Sequence, residues 1–255
     1  MALARADLES LLRARQLDRT LTTALPVLDP RDEAAIAPSG VVSLDARLGG
    51  GFPRGQLSEL VGPRSSGRTS LMLQMIAEAT ARGELVGMVD ALDMLDVESA
   101  AAAGVDLQRL LWVRGHVVAN PGFCSDLNQR ALEQAIRAFT LILQAGNFGL
   151  VVLDVAEAPV QALRRLPFTT WLRLQRMVEG SQTACLLIGS QPMARSSAGL
   201  TLRLAPTGIG DWGLGSGFGD LLFDGLTVEA RVIRAHVGER EEASVVFNTL
   251  ASDCV

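Results

Sequence analysis

Short runs in which apolar residues dominate recur along the chain at 57–61, 85–90, 110–113, 149–153 and 184–189, with stretches of helical periodicity between them. That alternation constrains the fold more than any other feature. A strand without polar alternation must be covered on both faces, and such strands separated by helices build a mainly parallel sheet flanked by helices, an α/β fold. Helices are expected over about 69–82, 126–145 and 169–179. The middle one is the clearest: Leu127, Ala131, Leu132, Ala135, Ile136, Phe139, Ile142 and Leu143 recur at the three-and-four spacing of a buried helix face. After residue 190 the chain turns glycine-rich and irregular as far as Gly219. It becomes β-like again over 226–237 and gains an edge strand at Val245 to Phe247.

Ahead of this core the character changes. Leu3, Leu8, Leu11, Leu12 and Leu17 sit near helical spacing among Arg5, Asp7, Glu9, Arg13 and Arg15, the pattern of an amphipathic helix. Pro26, Pro30 and Pro38, with the charged cluster Asp29, Arg31, Asp32 and Glu33, then mark a tether. The expected organisation is an N-terminal helix and Pro-rich tether over 1–38 and a core over 39–255. A tethered helix docks on a neighbouring subunit, giving self-association, or folds back on its own core; both readings stand.

At 48% apolar residues the 255-residue chain has enough material for one well-buried core. The apolar runs are far shorter than the roughly 20 residues of a membrane span, so the expectation is a cytoplasmic protein with no membrane partner. Cys124, Cys185 and Cys254 are scattered, which supports neither a disulfide framework nor a zinc site. A net charge of −5 argues against whole-surface attraction to nucleic acid and leaves room for a local basic face. His116 and His236 lack partner spacing for catalysis or metal binding, and Trp112, Trp171 and Trp212 read as packing residues or partner anchors.

Chemistry is expected where the first core strand ends. Gly62-Pro-Arg-Ser-Ser-Gly67-Arg68-Thr69 follows the run 57–61 and opens a helix, the setting of a phosphate-binding loop. In such a loop backbone amides and the helix N-terminus converge on phosphate, with Gly62, Ser65, Ser66, Gly67, Arg68, Thr69 and Ser70 as candidate nucleotide ligands. Thr69 is placed to ligate magnesium. The position that should hold lysine is Arg68, whose planar fork is a poor substitute for a slim ammonium. Downstream, Gly149-Leu-Val-Val-Leu-Asp154 ends a strand in a carboxylate, a second candidate magnesium ligand or else a helix cap.

The run Ser39-Gly-Val-Val-Ser-Leu-Asp-Ala-Arg-Leu-Gly-Gly-Gly-Phe-Pro-Arg-Gly-Gln-Leu-Ser-Glu-Leu-Val-Gly-Pro-Arg-Ser-Ser-Gly-Arg-Thr69 closely resembles the RecA recombinase family around its nucleotide loop. The likeness continues through Leu73-Gln74, Val89-Asp90-Ala91, Leu95-Asp96 and Gly104-Val105-Asp106 to Asp154 and Ser190-Gln191. It implies a RecA-type P-loop core, ATP and magnesium as ligands, Asp96 near the base, and Gln191 as a sensor of the γ-phosphate. The departures fall at functional positions. Where the family has a water-activating glutamate this chain has Leu92, which can neither take a proton nor orient water. Asp93 is adjacent, but a shift of one residue points its side chain elsewhere. The family's adenine-stacking tyrosine is matched by Ser99, and the chain has no tyrosine. The resemblance with these losses implies no efficient ATP turnover and at most weak nucleotide binding.

The family's two DNA-contacting loops correspond to 156–170 and to the segment after Gln191. Arg164, Arg165, Arg173 and Arg176 could form a modest phosphate-binding patch or be the solvated face of a helix, and Arg195 is the lone charge of a shortened second loop. Arg231-Val-Ile-Arg234 resembles the strand with which the family reaches an adjoining subunit's nucleotide, or is a charged edge strand. A core without the recombinase C-terminal extension, a Leu-rich N-terminal helix, a Pro-rich tether and a lapsed ATP site together resemble the ImuA group, RecA-like accessory proteins of bacterial mutagenesis cassettes. That resemblance implies a role in damage-induced translesion synthesis beside RecA or a Y-family polymerase-like partner. The alternative is a slow ATPase assembling on single-stranded DNA.

Overall fold

The computed structural model describes residues 35–115, 125–194, 199–209, 225–235 and 244–250. The N-terminal helix, most of the tether, His116, Cys124, Arg195, Trp212, His236 and Cys254 lie outside them.

The central strands are β3 (Leu57–Val61), β4 (Val86–Asp90), β5 (Leu110–Arg114), β6 (Leu150–Asp154) and β7 (Ala184–Gly189), joined by β8 (Leu200–Ile209), β9 (Gly225–Ala235) and β10 (Ser244–Leu250). They form an eight-stranded sheet in the order β10-β9-β8-β3-β7-β6-β4-β5. From β8 to β5 every pairing is parallel, while β8, β9 and β10 pair antiparallel. The helices are α1 (Val42–Leu48), α2 (Arg68–Ala81), α3 (Val97–Ala102), α4 (Ser125–Ala145), α5 (Val160–Arg165) and α6 (Phe168–Val178). A small ladder of β1 (Ile36–Ala37) and β2 (Phe52–Pro53) precedes β3, so the last residues of the expected tether pack on the core, with Ala37 buried.

Alternation persists inside the apolar strands, hidden because both faces are covered. Leu150 and Val152 of β6 join Leu186 and Ile188 of β7 in one core with α1 and α2. Val151, Leu153, Cys185 and Leu187 turn the other way, into a second core with α4 and α6. Trp171 lies in this second core, and burial pushes the Cys185 thiol well above its ordinary value, so it is an inert packing residue.

Three expectations need correction. Residues 200–209 are a strand, not irregular chain: Leu200, Leu202 and Leu204 are buried at period two beside β3, a signal masked by the surrounding glycines. Leu127 is 54% exposed, so the buried apolar face of α4 begins one turn later, at Ala131, after the buried Asn128. The strand carrying Arg231 and Arg234 is no edge: β9 is flanked by β8 and β10, and β10 is the edge.

The carboxyl ends of β3, β4, β6 and β7 open on one side of the sheet. The chain leaves β3 through α2 to β4, three positions along the sheet, and later returns to flank β3 with β7 and β8. Such a reversal opens a crevice at strand ends, where open α/β sheets hold ligands.

Candidate functional site

The loop after β3 lies in that crevice. Ser65 and Gly67 take positive φ of 57° and 84°, and Gly67 caps α2 without a side-chain bond. The first turn of α2 holds no acidic residue, which leaves its positive end uncompensated from within. Both loop glycines have a reason independent of any ligand. A Cβ on Gly62 would stand 2.5 Å from the Leu204 carbonyl oxygen, and one on Gly67 2.6 Å from a Val228 methyl, so β8 and β9 press on the loop from behind. Ser66 is buried with an unpartnered hydroxyl, while Thr69 and Ser70 face solvent.

Arg68, the first residue of α2, is the unusual feature: its side chain is only 7% exposed. Nη2 lies 3.6 Å from Glu157 Oε1, and Nη1 has no hydrogen-bond partner among the described residues. Burial pulls this guanidinium below its ordinary value; Asp154 and Glu157 act against that, and Arg64 acts with it. The other Glu157 oxygen accepts from Arg64 Nε at 2.7 Å and from Arg64 Nη2. Arg64 itself is 82% exposed at the side chain.

Beneath the loop, Asp90 and Asp154 end β4 and β6 as register partners. The Leu95 amide donates to Asp90 Oδ2 at 2.7 Å, and the Ala156 amide donates to Asp154 Oδ1 at 2.9 Å. Asp154 is pushed up to about 6, first by burial; the Ala156 amide and Arg68 resist, while Asp90 and Glu157 raise it further. Glu59, fully buried in β3, accepts from the Met193 and Ala194 amides and from the Thr201 hydroxyl. It thereby fixes the turn after β7 that carries Gln191.

Leu92 is buried in the core on the α4 side of the sheet. Asp93 is held at φ 59° and clamped by Arg114, whose Nε and Nη2 each donate to it at 2.7 Å while the guanidinium stacks on Trp112 at 4.6 Å. That pairing holds the Asp93 carboxyl below its ordinary value. Asp96 is the N-cap of α3, accepting from the Ser99 amide at 2.9 Å and the Ser99 hydroxyl at 2.5 Å. Gln191 and Arg164 share a cleft of about 540 Å3 with Leu163, Phe168, Trp171 and Met193, while Arg165, Arg173 and Arg176 are exposed on α5 and α6.

The structure thus brings Arg68, Asp154 and Glu157 together, with Thr69 exposed beside Arg68, and places Gln191 with Arg164 in the lining of one cleft. An anion would suit the loop, since among the described residues Ser66 Oγ and Arg68 Nη1 have no hydrogen-bond partner and α2 has no side-chain cap. Sequence reasoning missed Arg64, Glu157, Asp90 and Glu59. A lone glutamate in the apolar run 57–61 was the available signal for Glu59; nothing local signalled the Arg64–Glu157 pair.

A strand, glycine-bearing loop and helix at the switch point of a mainly parallel sheet define a P-loop α/β protein of the RecA-like fold. A model of the RecA N-terminal domain matches residues 27–163, and the chain belongs to that family. Protein RecA of Clavibacter michiganensis is 40% identical over 133 residues, which is 52% of this chain and 33% of that protein. RecA of Picosynechococcus sp. is 38% identical over 128 residues, 50% of this chain and 33% of its own length. The matched part therefore spans about a third of these relatives. The crystal structure of the RadB recombinase shares the fold, with a TM-score of 0.55 at 19% identity over 84% of this chain and 96% of that one. No helix among the described residues is long and apolar enough to cross a membrane.

Proposed function

We propose that this chain is a RecA-family accessory protein that no longer turns over ATP efficiently and acts through protein contacts. Its setting is damage-induced mutagenesis and translesion synthesis, as in the ImuA group, with RecA or a Y-family polymerase-like protein as partner. One observation carries the loss of turnover: Leu92 is packed in the core where the family places its water-activating glutamate. Its neighbour Asp93 is committed to Arg114. General-base catalysis contributes roughly a hundred- to ten-thousandfold, so without that group hydrolysis falls towards background.

Nucleotide binding by the loop belongs to the same reading. Gly62, Ser65, Ser66, Gly67, Arg68, Thr69 and Ser70 would cradle phosphate, and Thr69 and Asp154 would hold magnesium. Bound ATP with its metal would supply phosphate charge to the crevice. Asp96 and Ser99, spent on each other at the start of α3, offer the base a short polar cap in place of a stacking ring. Arg164, Arg165, Arg173 and Arg176 would give weak single-stranded DNA contact, chiefly to backbone phosphates.

The test is ATP hydrolysis by the purified full chain with magnesium, with and without single-stranded DNA, run beside capture of purified RecA and the polymerase-like partner. Background turnover and a complex that forms without ATP are expected. DNA-stimulated turnover that Asp154→Ala abolishes would overturn the reading in favour of a slow DNA-dependent ATPase.

A further inference from the structure

The geometry points to Glu157 as the resident occupant of the anion position in the phosphate loop: the loop holds a carboxylate of its own between Arg64 and Arg68, and a ligand phosphate binds by replacing it. Arg64 then becomes a second cation for that phosphate. This rests on the reading of 62–69 as a phosphate loop.

Glu157 bridges one exposed and one buried guanidinium, with its oxygens divided between them: Oε2 on Arg64, Oε1 facing Arg68. Two oxygens of one anion against two guanidiniums is also how a phosphate is taken up by paired arginines. The Arg68 contact, at 3.6 Å, is beyond hydrogen-bond length, so the carboxylate balances charge there without satisfying the fork. A tetrahedral phosphate has more oxygens than a carboxylate. It could engage Arg68, the Ser66 hydroxyl and the start of α2 together, which a side chain anchored in the loop after β6 does not do in this structure.

Arg64 is free to follow. Its side chain is 82% exposed and its hydrogen bonds all go to Glu157, so exchanging one anion for another costs it no packing. The two arginines also lie on either side of the same loop turn, four positions apart in sequence. The self-held carboxylate offsets the repulsion between two cations held on one short loop. It also predicts weak affinity as a designed competition, not simply as damage.

Pyrophosphate is the probe, titrated calorimetrically and by thermal shift into the full chain as wild type, Glu157→Gln, Glu157→Asp and Glu157→Gln/Arg64→Ala. Glu157→Gln is expected to bind at least about tenfold more tightly than wild type, equivalent to roughly 1.4 kcal/mol. Glu157→Asp keeps the charge but loses the reach to span both arginines, so it should fall between them and serves if the glutamine variant folds poorly. The double variant should lose most of the gain. Equal affinity across wild type and both single variants leaves the phosphate loop standing and overturns the exchange. Binding by none of them overturns both. A gain in Glu157→Gln that survives loss of Arg64 also overturns the assignment of Arg64 as a ligand.

Discussion

Two buried arginines sit at opposite ends of the same sheet, and their surroundings could hardly differ more. Arg54, at the amino ends of the parallel strands, donates to the carbonyls of Ile36, Gly149 and Gln182 and to Glu84 Oε1, at 3.1, 2.9, 2.9 and 2.7 Å. Arg68, at the carboxyl ends, reaches no acceptor within hydrogen-bond distance among the described residues and leaves Nη1 unpartnered there. A buried charge that is fully satisfied fixes structure; one left under-partnered marks a place built to receive something from outside. The contrast fits a structural role for the lower rim and, under the proposed function, a ligand-binding one for the upper.

The sharpest way to break this comparison is to remove Arg54. Arg54→Met strips donors from the carbonyls of β1 and of the segments leading into β6 and β7, and should cost about 3–5 kcal/mol, read by urea unfolding. Next comes Gly67→Ala, which meets both positive φ and the Val228 methyl, for an expected loss of about 2–3 kcal/mol. A smaller loss would mean that the loop yields more easily than its packing implies.

The carboxylates at the two rims respond oppositely to acid. Although burial alone would raise it, Glu84 is held below its ordinary value by Arg54 and Arg82. Its contribution is therefore complete above the unfolded value near 4.5 and lost as pH falls through the folded one. Glu84→Gln should cost about 1–3 kcal/mol at pH 7 and less as the pH drops below 4.5, measured as stability against pH. Asp154, raised from 3.8 to about 6, works the other way: the native state binds the extra proton between those values, so stability falls as pH rises through them. Asp154→Asn should gain on wild type over that interval. The smallest effect belongs to Arg68→Met, within about 1 kcal/mol of wild type, because Glu157 keeps Arg64 and no hydrogen bond is lost. A cost as large as that of Arg54→Met would erase the distinction between the rims.

The sequence made the sheet readable wherever burial was two-sided, because apolar runs such as 149–153 and 184–189 admit little else. It failed at β8, where Leu200, Leu202 and Leu204 alternate properly but glycine dominates the neighbourhood. The loop 62–69 was legible because glycine and hydroxyl residues stand at fixed local spacing. Arg54 and Glu157 were not, since their meaning comes from partners 95, 128 and 93 residues away in sequence, brought near only by strand order. Leu92 was legible as a substitution; that its side chain is sealed in the core, and that Asp93 is bound to Arg114, required coordinates.

The pressure of β8 and β9 on Gly62 and Gly67 has an evolutionary consequence. Those glycines are held by the neighbouring strands, so selection for a folded protein alone would preserve them in any chain where selection for ATP use lapsed. Descendants of such a chain would keep a recognisable phosphate-loop signature as a fossil, and a search by that signature would count them among working ATPases. The informative letters for sorting relatives are the ones the scaffold polices least: those at positions 64, 68 and 157.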